Sequence, residues 1–272
     1  TWSWRQTLET HTALIMDLLN NLLSSAPGIS EWAFIVLCVS SFFTSVISAA
    51  FGLGGGAMLI SIIASLMPPI AIIPVHAVIQ MSSNFSRATM MWRHIKYTWM
   101  TSFVIGTTIG ATLGGQIVFA LPANLLKGII GLFILYSLWG PSTGVIGPSR
   151  KTFFGIGAVS SFATMFVGGT GPLIAPFIRA TTNERRMTVA THAAFMSWQH
   201  GVKILTFGVL GFSFAPYLSI ISCMIVFGIV GTWSGKTILL WMPERIFRKT
   251  FSFVLTVLAL RLLYESLAHT WF

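Results

Sequence analysis

Long apolar runs separated by short polar clusters set the pattern of this chain. Residues 32–50, 97–120 and 251–263 are predominantly apolar runs, with Arg261 their only charged residue, and they do not alternate. Runs of this kind predict helices that cross a bilayer at about 20 residues each. A transmembrane β-barrel would instead alternate over roughly 10-residue segments, so the pattern predicts an all-α, polytopic membrane protein. Residues 1–30 read differently. Leu8, Ile15, Met16, Leu19, Leu22 and Leu23 fall near helical spacing, but Asp17, Asn20 and Asn21 interrupt the run and no small-x-small cleavage site follows. An interfacial amphipathic helix is expected there rather than a cleaved signal peptide.

Composition sharpens this reading. Only 8% of the 272 residues are charged and 54% are hydrophobic, against about 25% charged in soluble chains. The net charge of +10 therefore points to cytoplasmic loops of a membrane protein and not to nucleic-acid binding. The basic residues cluster at Arg93 and Lys96, at Arg150 and Lys151, at Arg179, Arg185 and Arg186, and at Arg245, Arg248 and Lys249. The connections at 66–75 and 209–217 carry no charge and are expected outside, as is the N-terminus. All six carboxylates, Glu9, Asp17, Glu31, Glu184, Glu244 and Glu265, lie in the N-terminal tail or near span ends. Cys38 and Cys223 sit inside apolar runs and read as small hydrophobes rather than a disulfide.

The chain also repeats itself. Val39-Ser40-Ser41-Phe42 recurs as Val159-Ser160-Ser161-Phe162, and the glycine-rich break at 52–56 recurs at 168–171. Pro122 to Lys127 likewise resembles Pro243 to Lys249. These correspondences predict two membrane repeats, 31–147 and 148–272. The third-to-fourth segment loop is basic in the first half and uncharged in the second, which makes the repeats inverted. Each half reads as a span, a short segment after the glycines, and three further spans, about eight full spans in all. The segment from Pro172 to Ala180 is too short to cross a ~30 Å core at about 1.5 Å per residue. Two re-entrant hairpins with glycine tips near mid-membrane fit that length; a packing kink between ordinary spans is the alternative.

Glycine-rich tips ahead of helix N-termini free backbone amides for an anion. Gly52, Gly54, Gly55 and Gly56 form one candidate tip, and Gly168, Gly169 and Gly171 the other. The helix after the first tip carries His76, Gln80, Ser83, Asn84 and Arg87 at near-helical spacing. At an offset of 116 residues the second half carries His192, Met196, Gln199, His200 and Lys203. Ionisable groups are costly in lipid and usually face a bundle interior, so these stripes are the expected substrate site. Ser83, Asn84, Arg87, His192, Gln199, His200 and Lys203 are its side-chain candidates. Arg87 has a second reading as a snorkelling residue, and His76 reads as a structural or rim histidine. Gly106, Gly110, Gly114 and Gly115, with Gly228, Gly231 and Gly235, are expected to let helices approach closely, and Lys236 to snorkel from its span end. No metal or organic cofactor is implied.

The Gly-x-Gly-Gly-Gly break, its weaker echo, the polar-bearing span after each, and the basic turn Trp92-Arg93-His94 together resemble the TauE/SafE family of sulfite and organosulfonate exporters. The likeness runs from about Trp32 to the C-terminus. It implies a multi-pass transporter of the inner membrane, with two related halves and a small sulfur-containing anion as substrate. Thr170 interrupts the second glycine run, and Asn183-Glu184-Arg185-Arg186 lengthens the following connection, so the second tip departs from the pattern. The expected function is secondary transport of sulfite or an organosulfonate out of the cell. An anion channel built from two facing hairpins uses the same chemistry and stays open. An intramembrane enzyme is disfavoured, since no His-Glu-x-x-His and no Gly-x-Ser-x-Gly occurs.

Overall fold

In the computed structural model the described residues are 2–51, 54–118, 121–140, 147–238 and 244–268. Gly52, Leu53 and Pro243 lie outside them, as do the side chains of Leu8, Ile15, Leu19, Lys236, Arg245 and Arg248. The described residues form eleven α-helices and two single 3₁₀ turns, with no strand. Helix α1 (Trp2–Leu23) precedes the apolar body and leaves Trp4, Met16 and Leu22 exposed. The first half continues with α2 (Glu31–Phe51), α3 (Gly55–Leu66), α4 (Pro69–Met90), α5 (Met100–Val118) and α6 (Ala123–Trp139). The second half follows with its short helix in the same second place: α7 (Arg150–Val167), the short α8 (Gly171–Arg179), α9 (Arg185–Val209), α10 (Leu218–Ile238) and α11 (Glu244–Ala268).

Local chemistry sets several of these boundaries. Pro69 opens α4, where its missing N–H costs nothing. Ser149 caps α7 by accepting from the Thr152 N–H at 3.1 Å. Among the described residues three helices, Glu31–Ala50, Met100–Val118 and Ala215–Gly235, are long and apolar enough to cross a membrane by length and composition. Helices α3 and α8 have 12 and 9 residues. At about 1.5 Å per residue they rise only ~18 and ~13 Å, too little to cross.

The helices associate across the two halves. Helix α2 runs along α10, α5 along α7, α4 along α9, and α6 along α11. Glycines permit two of these contacts. A Cβ at Gly106 would lie 2.1 Å from the Phe154 carbonyl oxygen, and one at Gly110 2.0 Å from that of Ala158. On the other side, a Cβ at Gly231 would lie 2.2 Å from the Phe42 carbonyl oxygen and one at Gly235 2.6 Å from that of Val46. Backbones this close leave no room for any side chain, which is the small-residue packing the sequence predicts. Without a hydrophobic force between helices in lipid, such contacts hold the bundle through dispersion. Helices α6 and α11 add an ion pair, Lys127 Nζ to Glu265 Oε2 at 2.7 Å, which Arg261 joins at 2.9 Å.

The α4–α9 pair is the polar interior of the bundle. Helix α4 buries His76, Gln80, Ser83, Asn84 and Arg87, and α9 buries His192, Gln199, His200 and Lys203. At the end where α9 begins, Lys96 ties the α4–α5 loop to the α8–α9 connection. Its backbone N–H donates to the Thr191 hydroxyl at 2.9 Å and its ammonium to the Thr181 carbonyl. Arg185 donates to the Ala50 carbonyl at the end of α2, 3.0 Å away. Cys38 is buried and Cys223 half-buried, both as free thiols.

Candidate anion site

Both chain breaks turn on a glycine with positive φ. Gly54 has φ +98° and precedes α3; Gly168 has φ +79° and ends α7. Any side chain would be strained at these angles. The two breaks face each other: a Cβ at Gly169 would sit 3.7 Å from the Gly56 carbonyl carbon and oxygen. Between them lies a cavity of about 40 Å³, above the roughly 10–15 Å³ needed to admit a water molecule. Backbone of Gly54, Gly56, Gly169 and Gly171 lines it, together with Ser48, Gln80, Asn84, Arg87, His192, Met196 and His200.

Arg87 is the charged wall of this cavity. It is 3% exposed and makes no hydrogen bond or ion pair among the described residues, its Nε being buried without a partner. It therefore does not snorkel. A buried cation without a counter-charge is costly, by several kcal/mol per ion, unless a ligand or water supplies acceptors. No carboxylate lines the cavity, so an anion is the ligand that would compensate it.

Histidines brace both tips in matching fashion. His76 Nε2 lies 3.0 Å from the Gly56 carbonyl oxygen and His192 Nε2 3.2 Å from that of Gly171. A carbonyl only accepts, so each Nε2 carries the proton and donates. Each Nδ1 is then buried with no partner, as is Nδ1 of His200. His76 is fully buried and its ring stands edge-on to His200, centroids 5.8 Å apart. It is a structural histidine at the heart of the bundle and not a rim residue. Asn84 Nδ2 donates to the Gln80 carbonyl at 2.7 Å, and the Gln80 amide lies against Gly56.

Set beside known families, the chain matches the one described as sulfite exporter TauE/SafE over residues 37–262. It belongs to the TauE/SafE family. No curated protein and no solved structure matches it. Family membership makes it a membrane protein of an exporter family.

The remaining candidates of this TauE/SafE chain are buried nearby but do not line the cavity. Lys203 is fully buried; its ammonium donates to the Gly168 carbonyl at 2.6 Å and to Thr164 Oγ1 at 3.2 Å. Gln199 donates to the hydroxyls of Ser160 and Ser161 at 3.1 and 3.0 Å and accepts from Thr170 at 3.1 Å. Ser83 lies 3.2 Å from Ser45 and 3.3 Å from Thr232. Gly55 fits against the Thr44 carbonyl and the Ser48 hydroxyl. Gly52 lies outside the described residues. Sequence reasoning passed over Ser48, Thr164 and Thr170 as site residues. A usable signal existed for two of them, because the offset that aligns Arg87 with Lys203 also aligns Ser48 with Thr164.

Proposed function

We propose that this protein is a secondary transporter that moves a small sulfur-containing anion, sulfite or an organosulfonate, out of the cell across the inner membrane. The observation that carries the reading is Arg87, a buried cation with no protein partner, opening on a cavity walled by glycine backbone. Arg87 supplies the opposite charge, and amides of the tips approach closely where no Cβ intervenes. His200, and Asn84 through the amide proton not given to Gln80, orient the anion. Family membership supports the substrate class.

In this reading α2 with α3 and α7 with α8 form re-entrant hairpins entered from opposite faces, α4–α6 and α9–α11 cross fully, and α1 lies at the interface; three full crossings per half, an odd number, are what invert the second copy. The halves 31–147 and 148–272 form inverted repeats. Support comes from the short helix in second place in each half, from the cross-half pairing of α2 with α10 and α5 with α7, and from the histidine contacts at both tips. A cysteine introduced at Ser213 is expected to label from outside the cell and one at Thr152 only after permeabilisation. Labelling of both from one face would end the inverted reading.

Energy for export comes from the membrane potential. Moving one negative charge outward gains about 2.3 kcal/mol per 100 mV with the inside negative. No carboxylate is available among the cavity-lining residues as a proton carrier. Sulfite flux in proteoliposomes should respond to an imposed potential without a pH gradient. Flux that needs a pH gradient, ignores potential and disappears in His200→Ala would replace this with proton-coupled, electroneutral transport.

A further inference from the structure

Lys203 and Arg87 occupy corresponding positions in the two repeats, yet their surroundings differ. Arg87 lines the cavity and has no protein partner. Lys203 does not line it and spends its ammonium on the second glycine tip, on Gly168 O at 2.6 Å and Thr164 Oγ1 at 3.2 Å. Thr164 in turn donates its hydroxyl proton to the same Gly168 carbonyl at 3.0 Å. One carbonyl oxygen thus takes two donors, at a glycine whose φ is +79°.

That clamp has a consequence one bond further on. A trans peptide unit is planar and points its N–H opposite its C=O. Fixing the Gly168 carbonyl toward Lys203 therefore turns the Gly169 N–H away from Lys203, and Gly169 is one of the residues that line the cavity. The carbonyl end of the peptide meets the cation, leaving the amide end available to an anion. Had Lys203 been the ligand, it would have to abandon both hydrogen bonds and release the tip.

We propose that the two cations divide the work, Arg87 meeting the transported anion while Lys203 is a positioning residue that holds the Gly168–Gly169 peptide in the orientation the anion requires. The inference rests on the anion-site reading above. It makes the duplicated pair functionally unequal and assigns Thr164 to the same clamp.

Hydrogen–deuterium exchange of the full chain in lipid nanodiscs, with and without sulfite, tests it through the amides of residues 168–171. In the wild type, saturating sulfite should slow their exchange. Arg87→Gln should leave exchange of the ligand-free tip unchanged and abolish the protection by sulfite. Lys203→Met should speed exchange of the ligand-free tip by about tenfold or more, and Thr164→Val should speed it less while keeping the lysine charge. A Lys203→Met protein with an unchanged ligand-free tip and no sulfite protection would overturn the proposal, for Lys203 would then be a ligand. If Lys203→Met does not fold, Thr164→Val decides, and an unchanged tip with unchanged sulfite affinity overturns it. A wild-type tip that sulfite never protects overturns the anion-site reading itself, whatever the clamp variants do.

Discussion

The two glycine tips share a design and differ in how they are held. Each follows a long helix, turns on a positive-φ glycine, and starts a helix too short to cross a bilayer. Each offers a carbonyl to a histidine of the following helix. The second tip is then tied down further, by Lys203 and Thr164 on Gly168 and by Thr170, which donates to the Ser160 carbonyl and to Gln199. At the first tip the corresponding cation, Arg87, is left free and faces the cavity. In the proposed reading the two halves are copies of one scaffold, and a few polar substitutions make one copy a support and the other a binding wall. Thr170, which reads in sequence as a defect in the glycine run, is one of those supports.

Breaking the free side should have the largest effect. Arg87→Gln removes the only Lys or Arg among the described residues lining the cavity. Charge-assisted hydrogen bonds are worth about 1.5–3 kcal/mol, so sulfite affinity should fall roughly 10- to 150-fold in a binding titration. An unchanged affinity in a folded protein would remove Arg87 from the site.

Next in size is Gly168→Ala. A side chain at φ +79° is strained by about 1–2 kcal/mol, and the new methyl would also lie 2.7 Å from Ile60. The thermal midpoint in detergent should drop, whereas Gly169→Ala meets only ordinary contacts, at 3.7 Å, and should leave the midpoint near wild type while reducing flux by narrowing the cavity. Equal midpoints for the two variants would contradict the distinct roles of adjacent glycines.

Thr170→Val should act more gently. It removes the hydroxyl that reaches Ser160 and Gln199, for a loss of about 1 kcal/mol, seen as a modest fall in midpoint with transport partly retained. Lys127→Met is the smallest and serves as a control. Its ion pair with Glu265 is partly exposed, 20% and 21%, so about 0–1 kcal/mol is at stake, and sulfite affinity should not change. A large loss of affinity there would show that cations act on the anion through long-range field rather than at the cavity wall.

The order of elements was legible in the sequence because it depends on local composition. Continuous apolar runs, glycine breaks and prolines act within a turn or two of chain, and they forecast the long-short-long pattern of both halves. The close helix contacts at Gly106, Gly110, Gly231 and Gly235 were legible for the same reason, since glycine at four-residue spacing has few other uses in lipid. The buried stripes on α4 and α9 could also be read, because helical spacing alone places His76, Asn84 and Arg87, or His192 and Lys203, on one face.

What each of those side chains does depended on tertiary structure. Arg87 and Lys203 look alike in sequence, as cations at one offset, and nothing local separates a ligand from a clamp. The separation comes from which oxygen lies within about 3 Å of each head group. For Lys203 that oxygen is the Gly168 carbonyl, brought there from 35 residues away by the turn of the second tip. His76 is the same case: its sequence position leaves it as either a structural or a rim histidine. It becomes a fully buried brace because α3 folds back and delivers the Gly56 carbonyl to it. Hydrogen bonds of this length require two distant segments to be placed to within a few tenths of an ångström, and that placement belongs to the packing of the whole bundle.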